Sequence, residues 1–326
     1  MIIVTGGAGF IGSNVLAALE ARAEGPLVCS DWLGDEGKWR NIAKRRLADV
    51  IKPEDLDDFI GANFQAVTAI YHLGAISETT ATDGDLIVAR NFHFSKMLWN
   101  HCARLEIPFI YASSAATYGD GERGFADSND IAENAKLRPL NLYGWSKWLF
   151  DSWVLEHGVN DAPPVWAGLR FFNVYGQNEY HKGAMQSLVS KIVHAHQPGQ
   201  PVNLFKSHKD GFADGEQLRD FVYVDDVVDV MLWLGARAEP GGIVNVGTGV
   251  ARSFADLARA AIRACDDTPK LDFIDMPENI RNAYQYHTCA DMQRLRGLGY
   301  NRDFTSLEDG VTRYVKGYLL AEDKFL

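Results

Sequence analysis

Residues able to do proton chemistry meet in Asn141-Leu142-Tyr143-Gly144-Trp145-Ser146-Lys147. Read as the first turns of a helix, this stretch puts Tyr143 and Lys147 four residues apart and on one face. A free phenol titrates near pH ~10, and a neighbouring ammonium favours its ionised form. The pair could take the proton of a sugar or alcohol hydroxyl, as hydride removal from the same carbon requires. The same spacing also describes a packed tyrosine beside a solvated lysine. The elements that would position the pair therefore decide.

The chain opens with a short β-branched run, Met1-Ile2-Ile3-Val4-Thr5, which reads as a buried strand. Gly6-Gly7-Ala8-Gly9-Phe10-Ile11-Gly12 follows, then a helical pattern through Val15, Leu16 and Leu19. Strand, glycine turn and helix form the setting in which a pyrophosphate approaches backbone amides at a helix N-terminus. Residues 26–30 read as the second strand, ended by Asp31. An acid about 20 residues past the glycines normally accepts hydrogen bonds from an adenosine ribose. Lys38, Arg40, Lys44, Arg45 and Arg46 come next. Asp31 favours NAD, because it would repel a 2′-phosphate. The basic residues could pair with that phosphate, and the reading leans to NADP with Lys38 as its main contact, NAD staying possible. The arginines could equally line a solvated helix.

Residues 67–73 read as a strand ending at His72-Leu73-Gly74-Ala75, where small residues would let a cofactor lie close. Asn91 is read as the start of a helix to residue 105. Residues 108–112 read as a strand that delivers Ser113-Ser114-Ala115-Ala116-Thr117-Tyr118-Gly119 at its carboxyl end. That end is the ligand crevice of an open α/β sheet, and Tyr143 follows about 25 to 30 residues later. Ser114 could orient a reacting oxygen, or serve only a turn.

Bulk properties set outer bounds. A chain of 326 residues with 47% hydrophobic residues can bury a large core in one or two domains. A formal net charge of −11 argues against nucleic-acid or anionic-membrane partners. Cys29, Cys102, Cys265 and Cys289 are scattered, so neither a zinc site nor a disulfide framework is expected, and no metal is assigned. The opening strand leaves no room for a signal peptide, and no apolar run is long enough for a bilayer. A cytoplasmic protein is expected.

Taken together, Gly6, Gly9, Gly12, Ser114, Tyr143 and Lys147 resemble, position by position, the extended short-chain dehydrogenase/reductase family. The stretches at 219–226 and 245–249 look like further landmarks of it, so the likeness spans nearly the whole chain. It implies a Rossmann-type doubly wound parallel sheet with a smaller α/β lobe. Residues 1–173 with 219–250 would bind NADP, and 174–218 with 251–326 would bind a sugar nucleotide. Phe171-Phe172-Asn173-Val174-Tyr175-Gly176, the following His181-Lys182-Gly183 and the run at 283–288 are similar to the branch that epimerises ADP-activated heptoses at carbon six.

That likeness implies Tyr143 and Lys182 as acid–base groups on two sides of the sugar, with Ser114 and Lys147 assisting. Inverting a carbon through a planar aldehyde moves the oxygen, so a second donor must wait for it. Lys182 could instead be an exposed lysine or a phosphate clamp. Cofactor contacts are implied for Phe10, Ile11, Trp32, Leu73, Gly74, Ala75, Ile76, Ser77, Asn91, Val174 and Lys182. Substrate contacts are implied for Asn173, Ala184, Lys191, Phe205, Lys206, Ser207, Arg219 and Tyr284. Arg219 would pair with a diphosphate, unless it forms an ion pair with Asp220 or Asp225. Tyr284 could equally be a buried aromatic. Residues 182–194 read as one helix, and 208–217 as an exposed loop. Ala115 and Ala116 stand where dehydratases of the family carry acids, which disfavours loss of water. Another sugar-nucleotide epimerase and a non-catalytic cofactor-binding regulator are the rival readings. The likeness also implies a homo-oligomer, as a pentamer.

Overall fold

Twelve strands lie among the residues described by the computed structural model, which are 1–157, 160–281 and 285–326. They are β1 (Ile2–Thr5), β2 (Leu27–Ser30), β3 (Asp49–Ile51), β4 (Ala69–His72), β5 (Phe109–Ser114), β6 (Trp166–Phe171), β7 (Asn173–Tyr175), β8 (Val202–Phe205), β9 (Leu218–Tyr223), β10 (Gly242–Val246), β11 (Ala251–Ser253) and β12 (Leu271–Ile274). Seven pair in parallel in the order β10-β6-β5-β4-β1-β2-β3. Alternation explains why helices cover both faces. Ile2 and Val4 of β1 join one core with Leu16, Leu19, Val227 and Met231, whereas Ile3 joins another with Leu98, Trp99, Phe150 and Val154.

Register brings the carboxyl ends to one edge. Thr5 sits opposite Ser30 on one side and His72 on the other, and Ser114 sits opposite Phe171. The strand order turns back between β1 and β4, which opens a crevice there. The doubly wound sheet anticipated from the sequence is present. A smaller lobe holds a three-stranded sheet, β11-β9-β7, and the parallel pair β12-β8.

Three boundaries differ from the sequence reading. The helix through Asn91 starts at Gly84, capped by the Asp83 carboxylate, and Asn91 lies inside a π-helical turn, Val88–His93. Residues 182–194 do not form one helix. A 3₁₀ turn, Tyr180–Met185, is broken by left-handed Gly183 (φ 51°), and a helix Leu188–Ala195 begins afresh under the Ser187 cap. Within 219–250, β9 joins the small sheet, whereas the helix Val224–Gly235 packs on the large one and β10 pairs within it. Among the described residues no helix is long and apolar enough to cross a membrane.

Candidate active site

A cleft of about 850 Å3 runs along the carboxyl edge of the large sheet and under the small lobe. Its floor at one end is the glycine turn. Gly6 has φ 63°, and a Cβ there would press on the Gly74 backbone. A Cβ at Gly12 would overlap the Gly6 carbonyl. The helix Phe10–Ala21 starts at this turn with no side-chain cap and no acid in its first turn. Its first N–H groups are thus left for an anion.

Asp31 does not present a free carboxylate to a ribose, as the sequence suggested. One oxygen accepts the Ala8 amide at 2.9 Å and the other the Lys38 ammonium at 2.8 Å. The Ser30 hydroxyl beside it lines the cleft, is fully buried and has no partner. A buried unpaired hydroxyl next to a helix N-terminus fits the sugar and phosphate groups of a dinucleotide. Arg45 turns to Glu20 and Lys44 to Asp323, so these cations leave the cleft, and Arg40 and Arg46 do not line it. Trp32 does line it, stacked under Arg90 at 4.0 Å, a contact that reading the sequence missed. Leu73, Gly74, Ala75, Ile76 and Ser77 form the opposite wall. Asn91 stands behind that wall. Its amide bonds both the N–H and C=O of Ile76 at 2.8 and 2.9 Å and reaches Ser146 at 3.0 Å. It holds the wall and does not line it.

Asn141 caps the helix Leu142–His157 by accepting the Gly144 amide at 2.8 Å. A Cβ at Gly144 would sit 2.8 Å from the Ala116 carbonyl. The missing side chain lets the helix close on the turn after β5 and bring Tyr143 beside Ser114. One and two turns further on lie Lys147 and Asp151. Lys147 donates to the Ala112 carbonyl at 2.8 Å. Asp151 is fully buried among Ser113, Tyr111 and Arg170, at 2.8, 3.1 and 2.9 Å.

The proton levels correct one expectation. Burial pushes the Tyr143 phenol up, and the opposing pull comes from its hydrogen bond with Ser114, not from Lys147. Burial pushes Lys147 down to about 8, against the upward pull of Asp151. Its ammonium gives one of its three protons to the Ala112 carbonyl.

Lys182 lies in the same cleft, its ammonium over the Phe10 ring at 5.3 Å. Burial lowers its proton affinity, Glu179 raises it and Lys191 lowers it. Asn173, Val174, Lys191 and Phe205 also line the cleft. Ala184, Lys206, Ser207 and Arg219 do not. Ala184 accepts Lys191 at its carbonyl, Lys206 faces Asp275, and Ser207 closes its own loop. Arg219 is buried against Phe254 and donates to the carbonyls of Leu218 and Gln285, in neither ion pair foreseen. Tyr284 lies outside the described residues. Asn203, Gln186 and Gln217 line the substrate end unannounced, polar residues without a recognisable spacing.

A dinucleotide cradle whose far wall presents serine, tyrosine and lysine defines an enzyme that moves hydride and proton with a bound nicotinamide. The model of the NAD dependent epimerase/dehydratase family matches residues 2–247, and the chain belongs to that family. It is 47% identical, over the full length of both chains, to ADP-L-glycero-D-manno-heptose-6-epimerase of Fusobacterium nucleatum. It is 46% identical, again over both full lengths, to the enzyme of that name from Nitratidesulfovibrio vulgaris. The crystal structure of Helicobacter pylori ADP-L-glycero-D-manno-heptose-6-epimerase superposes with a TM-score of 0.79 at 29% identity, covering 97% of this chain and 95% of that one.

Proposed function

We propose that this protein inverts carbon six of ADP-D-glycero-D-manno-heptose to give the L-glycero epimer, a step in lipopolysaccharide core synthesis. When bound, the nicotinamide supplies a hydride acceptor that later returns the same hydride to the opposite face of the sugar carbon. Gly6, Gly9, Gly12, Ser30, Trp32 and Lys38 would hold that cofactor, with Leu73 to Ser77 against it. Lys38 favours NADP, since it cancels the Asp31 charge that would repel a 2′-phosphate.

The observation that carries the reading is the Lys182 amine, which shares the cleft with Ser114, Tyr143 and Lys147. In one direction Tyr143 takes the hydroxyl proton as a phenolate, the form that its hydrogen bond with Ser114 favours against burial. Once the carbon is planar, rotation carries the carbonyl oxygen to the Lys182 side, where the ammonium gives a proton as the hydride lands. Burial brings the Lys182 ammonium below its ordinary 10.5, which makes it a better donor near neutrality. The turn Ala115–Tyr118 offers no carboxylate to expel water. The assembly would be a cytoplasmic homo-oligomer, as a pentamer.

Lys182→Met tests the two-sided scheme. It should retain cofactor and lose inversion by about 10²-fold or more, followed by NMR of the ADP-heptose. Full inversion in that variant removes Lys182 from the chemistry. Turnover of a UDP-hexose in place of ADP-heptose would favour a 4-epimerase instead.

A further inference from the structure

The segment leading into Lys182 is not built like a surface loop. Gln177, Asn178 and Glu179 are each at most 1% exposed. Asn178 adopts φ 68°, a left-handed conformation that asparagine tolerates better than most residues. Its amide donates to Ser13 Oγ at 3.0 Å, in the first turn of the dinucleotide helix. Its carbonyl accepts Asn41 Nδ2 at 3.0 Å. The same nitrogen donates to the Ala8 carbonyl at 2.9 Å and lies 3.2 Å from His181 Nδ1. Asn41 is itself 2% exposed and belongs to the 3₁₀ turn Lys38–Ile42. One buried amide thus joins the glycine turn, the turn bearing Lys38 and the backbone on which Lys182 rides.

Residues 323–326 close this joint from outside. Tyr180 donates its hydroxyl to the Lys324 carbonyl at 2.7 Å and meets the Phe325 ring edge-on at 5.4 Å. Lys44 donates to the Phe325 carbonyl at 2.6 Å, and the Leu326 amide to Asn178 Oδ1 at 3.2 Å. At the far side Glu179 accepts both the amide and the hydroxyl of Ser187 at 2.6 Å, which fixes where the loop ends.

We infer that Asn41 is a positioning residue for Lys182, and that segment 323–326, closing over Tyr180, completes the joint. The inference rests on the reading of Lys182 as the second acid–base group. A displacement of about 1 Å at a reacting group can cost about 10²-fold in rate. Tyr143 is positioned separately, through Gly144, Ala116 and the Asp151 cluster. Loosening the joint should therefore handicap one face of the sugar and spare the other.

That asymmetry is the test. Asn41→Ala is supplied with each purified epimer in turn, and the formation of reduced nicotinamide is followed by absorbance. One epimer should reduce bound cofactor within about twofold of the wild-type rate, while the other slows by at least about tenfold, with inversion slowed to match. Tyr180→Phe and Phe325→Ala alter only the outer side and should show a weaker version of the same split. They carry the test if Asn41→Ala does not fold. Equal slowing from both epimers, which general loosening would produce, or no slowing at all, overturns the inference. Lys182→Met run alongside separates the two claims. If it inverts at full rate, the role of Lys182 falls and the inference with it. If it fails to invert while the joint variants behave as wild type, only the inference falls.

Discussion

Lys147 is held near a titration point that the reaction can feel. Burial brings it down from 10.5 to about 8, and Asp151 one turn away keeps it from falling further. Below about 8 it is an ammonium, able to donate to Ala112 and to a ribose hydroxyl. As pH rises through that value the charge is lost and one donated proton with it, so kcat should decline on the basic side. An arginine stays charged throughout this range. Lys147→Arg should therefore be slower, because its fork does not match the single carbonyl of Ala112, yet lack the decline near pH 8. A pH–rate profile of both proteins checks this. An identical basic limb in the variant would assign the ionisation to another group.

Among elements, the glycine turn makes the sharpest demand. A Cβ at Gly12 meets the carbonyl and carbon of Gly6, which are main-chain atoms that cannot swing aside. Gly12→Ala should move the helix Phe10–Ala21 off β1, lose cofactor affinity by tenfold or more, and destabilise the fold by about 1–3 kcal/mol. Cofactor titration and thermal melting measure the two. This turn was legible because strand, glycine spacing and helix are local patterns, and Ser114 and Tyr143 followed from their distances along the chain. The small lobe was less legible. Lys182 to His194 holds a helical apolar rhythm, but Gly183 takes a positive φ and Ser187 caps a new helix, so local backbone preference overrode periodicity. Asn91 lies inside its helix because Asp83, a good capping residue upstream, starts it earlier. Asp31 and Arg219 were read by their charge. Their partners, Lys38 and two carbonyls, depend on how distant turns fold back, which spacing cannot disclose.

At the scale of the molecule, β1, β4 and the long helical run from Gly84 to Leu105 are tied by one buried imidazole. The Gly74 amide donates to Thr5 Oγ1 at 3.2 Å, and Ser95 Oγ donates to the Asn91 carbonyl at 2.7 Å. Ser95 must then accept from His72 Nε2 at 2.8 Å, and His72 Nδ1 must accept the Thr5 hydroxyl at 2.6 Å. The histidine is therefore neutral with its proton on Nε2. Burial, aided by the Lys147 charge, holds its pKa at about 3 instead of 6.5. In the unfolded chain the ring takes up a proton below about 6.5, whereas the folded one refuses it until about 3. Stability is complete above that window and falls as pH drops through it, by about 2 kcal/mol at pH ~5. His181, lowered to about 4, acts in the same direction but lines the cleft and is screened. Asp127, Glu179, Asp225 and Asp226 are raised by burial and act the other way, since the folded state takes their protons first. The difference between wild type and His72→Gln cancels these shared contributions. Glutamine can accept from Thr5 and donate to Ser95 without titrating. The variant should be less stable at neutral pH by about 1–3 kcal/mol from imperfect packing. On acidification to pH ~5, however, it should lose about 2 kcal/mol less than wild type in urea denaturation. Parallel losses in the two proteins would mean that the buried imidazole is not what acid attacks.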